Sequence, residues 1–231
     1  MTTALILSGG TGTRLGLDTP KQYIKVGGRP IISYSIERLF SHSRIDAIQI
    51  VADPVWRKQL QDWLTADGFD KKFKGFSNPG ENRQLSILHG LEDIRGYASD
   101  WDYVFIHDAA RPLLSEQQIT DCMEGAAGHD GVLPVLPMKD TVYSSADGKK
   151  ITALLKRSEI YAGQAPEVFR LGPYYEANCR LLPEKIKQIN GSTEPAIMAG
   201  MDIVMIPGDE GNFRAKQDAE GRRPGSGSAG A

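Results

Sequence analysis

Short apolar runs and helical stripes alternate along most of this chain. Residues 3–7 (TALIL) are apolar almost throughout and stop at Ser-Gly-Gly, the pattern of a strand buried on both faces. Residues 30–41 carry apolar positions at helical spacing, with Pro30 suited to a first turn. Residues 46–52 predict a second strand, 54–66 a helix with two tryptophans, and 73–77 a short strand. A helical stripe at 85, 87, 88 and 91 predicts a helix over 82–93. Residues 102–106 predict a strand running into His107 and Asp108, and 115–127 a helix capped by Ser115. A further strand follows at 131–136.

This alternation predicts an α/β fold with a parallel sheet and crossover helices. The pattern then changes. Residues 140–144 and 150–155 flank Asp147-Gly148, a hairpin turn signal, and predict a β-arm over about 138–160. Helices over 173–182 and 194–199 and a strand over 202–206 complete the reading. No internal repeat or long linker divides the chain, so 1–220 read as one domain. Residues 221–231 are Gly/Ser-rich and read as a disordered tail or cloning remnant, outside the fold.

Composition narrows the function classes. A formal charge of −2 gives no global basic field for nucleic acid. The two cysteines, Cys122 and Cys179, form no CxxC pair, so free thiols in a reducing compartment are expected rather than zinc. No apolar run reaches the ~18 residues of a membrane span, and no leader pattern opens the chain. A soluble, cytoplasmic protein is expected.

Ligands bind beyond the carboxyl ends of strands in open parallel sheets. Three polar clusters fall at such ends: Ser8 to Arg14, His107 to Arg111, and Asp209 to Arg214. A fourth, Gly80 to Ser86, opens a helix. In the first, Gly9, Gly10 and Gly12 let backbone N–H groups approach an anion. Thr11 and Thr13 add hydroxyls, and Arg14 and Lys21 add charge suited to a polyphosphate. A Walker A loop would need Gly-Lys-Ser/Thr, which is absent. A dinucleotide fingerprint fails on spacing, since Gly16 comes one position late and Asp53 lies about twice too far on. A turn with solvated cations remains open at this point.

The other clusters are read the same way. Asp108 can hold Mg²⁺ against substrate phosphates, and Arg111 can meet phosphate or pair with Asp108. His107 reads as structural. Arg83 and Ser86 can point at a base, ribose or phosphate, or lie on a capped surface helix. Thr141 and Arg157 bracket the arm with Lys139, Asp140 and Lys156, and hairpin pairing would bring the two near one another. Thr193 can cap the short helix after it. Asp209, Glu210 and Arg214 follow the last strand.

Taken together, LSGGTGTRLG, PKQY, GENRQLSILHGL, HDAARP, KDT and R-x(3)-Y-x-GQ-x-P-x-x-F resemble the cytidylyltransferases of sugar-alcohol phosphates. The resemblance runs in register from about residue 3 to 214. It implies a Rossmann-like nucleotidyltransferase sheet with a protruding β-arm, a homodimer formed through that arm, and Mg²⁺ with CTP. Neither nucleic acid nor membrane is implied as a partner.

The activity implied is transfer of CMP from CTP to a polyol phosphate with release of pyrophosphate. The acceptor expected is 2-C-methyl-D-erythritol 4-phosphate, on the path to isoprenoid precursors. D-Ribitol 5-phosphate is the alternative, and a nucleotide-binding homologue without catalysis a further one. By the resemblance, Arg14, Lys21 and Arg214 are catalytic. Ser8, Gly9, Gly10, Thr11, Gly12, Thr13, Gly80, Arg83, Ser86, Ala109 and Arg111 meet the nucleotide. Thr141, Arg157 and Thr193 grip the acceptor, the first two in the partner subunit's site, and Asp108 with Asp209 serves the metal.

The departures from the family pattern fall on the acceptor side and the C-terminus. Thr193-Glu194 replaces a Thr-Asp pair. Asn212-Phe213-Arg214-Ala215-Lys216 replaces Asn-x-Lys-x-Thr. Gly163-Gln164-Ala165-Pro166-Glu167 replaces GQTPQ.

Overall fold

The fold is described from a computed structural model, over residues 1–10 and 19–215. The chain opens with β1 (Thr2–Leu7), then a turn at Lys21–Tyr23 and a small hairpin of β2 (Lys25–Val26) and β3 (Arg29–Pro30). Next come α1 (Ile31–Ser41), β4 (Ala47–Val51), α2 (Pro54–Ala66), β5 (Phe73–Ser77), α3 (Arg83–Arg95), β6 (Tyr103–Asp108), α4 (Glu116–Gly125) and β7 (Gly131–Pro137). The C-terminal part holds β8 (Val142–Ser144), β9 (Ala153–Leu155), β10 (Tyr161–Gly163), β11 (Glu167–Arg170), α5 (Leu171–Cys179), α6 (Glu194–Met198) and β12 (Ile203–Pro207).

The main sheet runs β10-β7-β11-β6-β1-β4-β5, with β12 on the other edge of β7. β1, β4, β5 and β6 are parallel, as expected. The sheet as a whole is mixed, because β11 enters antiparallel between β6 and β7. The sequence pattern showed neither β10 nor β11. Both are short, and Gly163 and Pro166 interrupt the stretch that holds them, so no period of two is long enough to see. β8 and β9 form the separate two-stranded arm around Asp147-Gly148, with Val142 opposite Leu155.

Alternation along β1 explains the two cores. Ala4 and Ile6 face Ile32, Ile36 and Leu39 of α1 together with Ile48 and Ile50. Leu5 faces the other way, with Ile87 and Leu91 of α3, Ile106, Phe169 and Tyr174. Each such fully buried aliphatic side chain contributes roughly 1.5–3 kcal/mol. Gly90 of α3 lets the helix settle on β1, since a Cβ there would lie 2.5 Å from Leu5 Cδ1. Local signals set the helix starts as read: Asp53, Asn82 and Ser115 each accept an N–H bond at the N-cap of α2, α3 and α4.

Register places the functional loops. Leu7 lies opposite both Val51 and Asp108, so β1, β4 and β6 end level. The Ser8 amide donates to Val51 O and the Ala109 amide to Leu7 O, which holds the first loop against HDAARP. No helix among the described residues is long and apolar enough to cross a membrane.

Candidate active site at the carboxyl ends of β1 and β6

The first wall is the loop after β1. Gln22 donates to the carbonyls of Ser8 and Gly10, both at 2.8 Å, and so orients the glycines. The Ser8 hydroxyl turns inward to Tyr23 Oη at 2.8 Å, and Tyr23 packs on Trp56 with centroids 4.7 Å apart. Ser8 is therefore part of the loop's anchor. A Cβ on Gly9 would stand 2.6 Å from Pro79 Cβ, so only glycine allows this approach between the two loops. Thr11, Gly12, Thr13 and Arg14 lie outside the described residues.

The second wall is the start of α3. The Asn82 side chain caps the helix by accepting from Leu85 N–H at 2.8 Å. Ser86 Oγ accepts from the Gly80 amide and donates to Asn82 O, both at 2.9 Å. Gly80 sits so close to the helix that a Cβ would meet Leu85 Cβ at 2.4 Å. Asn82, Arg83 and Ser86 at the start of this 13-residue helix line the cleft, and a helix N-terminus favours an anion.

The floor is Asp108, the last residue of β6. Arg83 Nη2 and Nε donate to Asp108 Oδ1 at 3.1 and 3.3 Å, and Arg83 Nη1 donates to Ser192 Oγ at 2.6 Å. Arg111 Nε stands 3.7 Å and Arg214 Nε 3.9 Å from Asp108 Oδ2. Lys21 Nζ donates to Ala215 O at 3.3 Å. A cleft of about 370 Å³ lies between these groups, lined by Gly9, Gly10, Lys21, Gly80, Arg83, Ser86, Asp108, Ala109 and Arg214 among others. Arg111 stands behind it, donating to Asn212 O at 2.7 Å.

Electrostatics follow from this crowding of cations. Burial alone would raise the Asp108 carboxyl, but the Arg83 and Arg214 guanidiniums outweigh it and hold it below its ordinary range. Burial lowers the Lys21 ammonium, and the Arg214 charge lowers it further. Burial pushes His107 down to about 4; it is neutral, with Nε2 against Ser35 Oγ and Arg111 O, a structural residue as read. The buried Glu167 carboxyl is raised by burial, against the pull of Arg83.

The acceptor-side candidates are placed differently. Thr193 does not cap α6: its backbone is helical there and its hydroxyl donates instead to Glu167 Oε2 at 3.5 Å. Thr141 directly precedes β8, and Arg157 lies just past β9, where its Nη1 donates to Lys139 O at 2.8 Å. Hairpin pairing does bring these two ends of the arm together, but neither lines this chain's cleft. The Asp209 carboxylate accepts from the Gly211 amide at 2.7 Å, inside its own turn. No cluster of three or more metal-ligating side chains exists among the described residues. Two carboxylates line the cleft, Asp108 on its floor among the guanidiniums and Glu81 at the exposed entrance to α3.

Gln22, Ser192, Gln164 and Glu167 were not singled out from the sequence. Gln22 stands beside Lys21 in PKQY and Gln164 and Glu167 lie in the quoted GQ-x-P motif, so the motifs flagged the segments. Their partners, 12 to 109 positions away, are tertiary.

The family model described as IspD: 2-C-methyl-D-erythritol 4-phosphate cytidylyltransferase matches residues 2–220. The bifunctional enzyme IspD/IspF of Granulibacter bethesdensis is 33% identical over 94% of this chain and 54% of its own length. The chain therefore spans about half the length of the bifunctional relatives it matches. The 2-C-methyl-D-erythritol 4-phosphate cytidylyltransferase of Rubrobacter xylanophilus is 32% identical over 91% of this chain and 87% of its own. The ribitol-5-phosphate cytidylyltransferase of Lactiplantibacillus plantarum is 29% identical over 91% of both. In fold, the chain is similar to the solved 2-C-methyl-D-erythritol 4-phosphate cytidylyltransferase of Francisella tularensis. That likeness has a TM-score of 0.78 at 23% identity and covers 93% of this chain and 94% of that one.

Proposed function

The chain belongs to the IspD family, and on that premise we propose that it transfers CMP from CTP to a sugar-alcohol phosphate, most simply 2-C-methyl-D-erythritol 4-phosphate, with release of pyrophosphate. The observation that carries this reading is the buried Asp108 carboxylate ringed by Arg83, Arg111 and Arg214, with Lys21 on the same cleft. Such an excess of cations suits a triphosphate.

The acceptor's phosphate oxygen attacks the α-phosphorus of CTP. A new P–O bond forms, the bond to the bridging oxygen of the β-phosphate breaks, and pyrophosphate leaves with the electron pair. A phosphate monoester is already an anionic nucleophile, so no strong base is required. Positioning and charge neutralisation supply the rate. Gly9, Gly10 and Gly12, with Thr11 and Thr13 in the same loop, would cradle the nucleotide, and Ser8 would serve it by anchoring that loop on Tyr23. Gly80, Ser86, Ala109 and Arg83 would meet its nucleoside and phosphates, and Arg111 would back them. Lys21, Arg214 and Arg14 would neutralise charge at the reacting phosphorus.

The Asp108 donor set fits Mg²⁺. Its Oδ2 has only long contacts to Arg111 and Arg214, which leaves lone pairs for a hard cation. Bound there, Mg²⁺ would neutralise the triphosphate and the leaving pyrophosphate. Asp209 would assist only if its turn opened. Thr141 and Arg157 would reach the acceptor bound by the partner subunit in an arm-mediated homodimer, and Thr193 would act from its own chain. A cytoplasmic location goes with a nucleoside triphosphate substrate.

The test is pyrophosphate release from CTP and Mg²⁺, with each acceptor supplied separately. Turnover with 2-C-methyl-D-erythritol 4-phosphate supports the reading. Turnover only with D-ribitol 5-phosphate would assign the alternative acceptor, which the similarity to ribitol-5-phosphate cytidylyltransferases favours. CTP binding without turnover on either would leave a nucleotide-binding homologue.

A further inference from the structure

Arg214 reaches the cleft from a segment with no regular structure after β12, and it is half exposed. Something other than a helix or strand must hold that segment. The buried Gln164 amide does so. Its Oε1 accepts from the Asp209 amide at 2.9 Å, and its Nε2 donates to Asp209 O at 2.8 Å and Asn212 O at 3.3 Å. A side-chain amide thus mimics a strand partner, pairing both ways with the Asp209 backbone. The fit is close: a Cβ on Gly208 would stand 2.9 Å from Gln164 Oε1.

The clamp continues toward the cleft. Asn212 is fully buried; its Nδ2 donates to Ala165 O at 2.9 Å, and its carbonyl accepts from Arg111. Beyond Arg214, the Ala215 amide donates to Ala110 O at 2.8 Å, and Ala215 O accepts from Lys21. Arg214 is therefore suspended between two pinned points, one on Gln164 and one on HDAARP.

We propose that Gln164 is a positioning residue that fixes the 208–212 turn and thereby holds Arg214 over the Asp108 cleft. This rests on the reading of the cleft as the CTP site. A side chain about 1 Å out of place can cost a hundredfold in rate, so the clamp matters to turnover even though Gln164 touches no substrate.

The experiment compares Gln164→Ala, Gln164→Met, Arg214→Ala and the double variant Gln164→Ala with Arg214→Ala, in the full chain. Gln164→Met keeps the length and volume of the side chain and guards against loss of fold by cavity formation. Pyrophosphate release and CTP affinity by calorimetry are read for each. The expected result is a fall in kcat of about tenfold to a hundredfold for either Gln164 variant, with KM for the acceptor little changed. In the Arg214→Ala background, Gln164→Ala should then cost no more than about twofold, because contacting or coupled groups are not additive. Losses that multiply, or unchanged kcat in both Gln164 variants, would overturn the proposal.

If the unaltered chain turns over neither acceptor, the functional reading fails but the clamp is still judged. Hydrogen exchange across 208–215 should quicken in Gln164→Met, and unchanged exchange there would dismiss it.

Discussion

Arg83 and Asp108, the first residue of α3 and the last of β6, meet through two guanidinium nitrogens on one carboxylate oxygen. The contact joins the helix start to the strand end and leaves Asp108 Oδ2 toward Arg111 and Arg214. Asp108→Asn should abolish most turnover. It should also cost about 1–3 kcal/mol of stability, less than a fully buried pair because Arg83 is a third exposed. The folded carboxyl titrates below the unfolded value of 3.8. Its contribution is thus full above about pH 4 and lost as pH falls through the lower folded value. Denaturant titrations of both proteins across pH should show their difference level at neutral pH and shrinking in acid.

Glu167 has the opposite sign. Burial raises its carboxyl even with Arg83 near, so the folded state holds its proton to higher pH than the unfolded chain. Stability from this group is present below the unfolded value of 4.5 and declines as pH rises toward the folded one. Glu167→Gln should therefore stabilise the fold at neutral pH, and the gain should vanish below about pH 4. Melting curves at pH 4 and 7.5 read this directly; equal shifts at both would contradict it.

Lys21 extends into the cleft from the turn that carries Gln22. Lys21→Ala should lower kcat by about a hundredfold or more, the scale of losing one preorganised charge donor, and move the melting temperature little. Steady-state kinetics beside calorimetric melting would separate the two effects. Near-normal turnover would remove Lys21 from its role.

Gly80→Ala tests the packing of the second wall. The added Cβ would collide with Leu85 Cβ and with backbone atoms of Leu85 and Ser86 at 2.4 to 2.8 Å. The loop or α3 must shift, at a cost of about 1–3 kcal/mol. A drop in melting temperature together with weakened CTP binding is expected in calorimetry.

The arm presents Tyr143, Ile151 and Leu154 to solvent in the single chain. Burial of these side chains against a second copy is what the proposed dimer would supply. Leu154→Glu should shift the mass in sedimentation or light scattering from dimer toward monomer. It should also lower turnover, because Thr141 and Arg157 would no longer reach a partner's site. A monomer at full activity would overturn their action across subunits.

Much of the fold was legible in the sequence. The strand at 3–7, the helix over 54–66 and the hairpin at Asp147-Gly148 stand where periodicity and turn chemistry place them, because those signals are local. β11 was not legible. Its four residues owe their strand to the ladders of β6 and β7 on either side, not to any pattern of their own. Thr193 shows the same limit: a residue of the right type at a helix start took Glu167 as its partner instead.

The alternating elements, the polar loops at strand ends and the surplus of cations in them follow from short-range composition and spacing, and can be read along the chain. Which charges meet is set by the folded arrangement. Asp108 selects Arg83 from 25 residues away, and Gln164 finds Asp209 across 45. Such contacts depend on the register of the sheet and on which chain segments it brings level, which no local period carries.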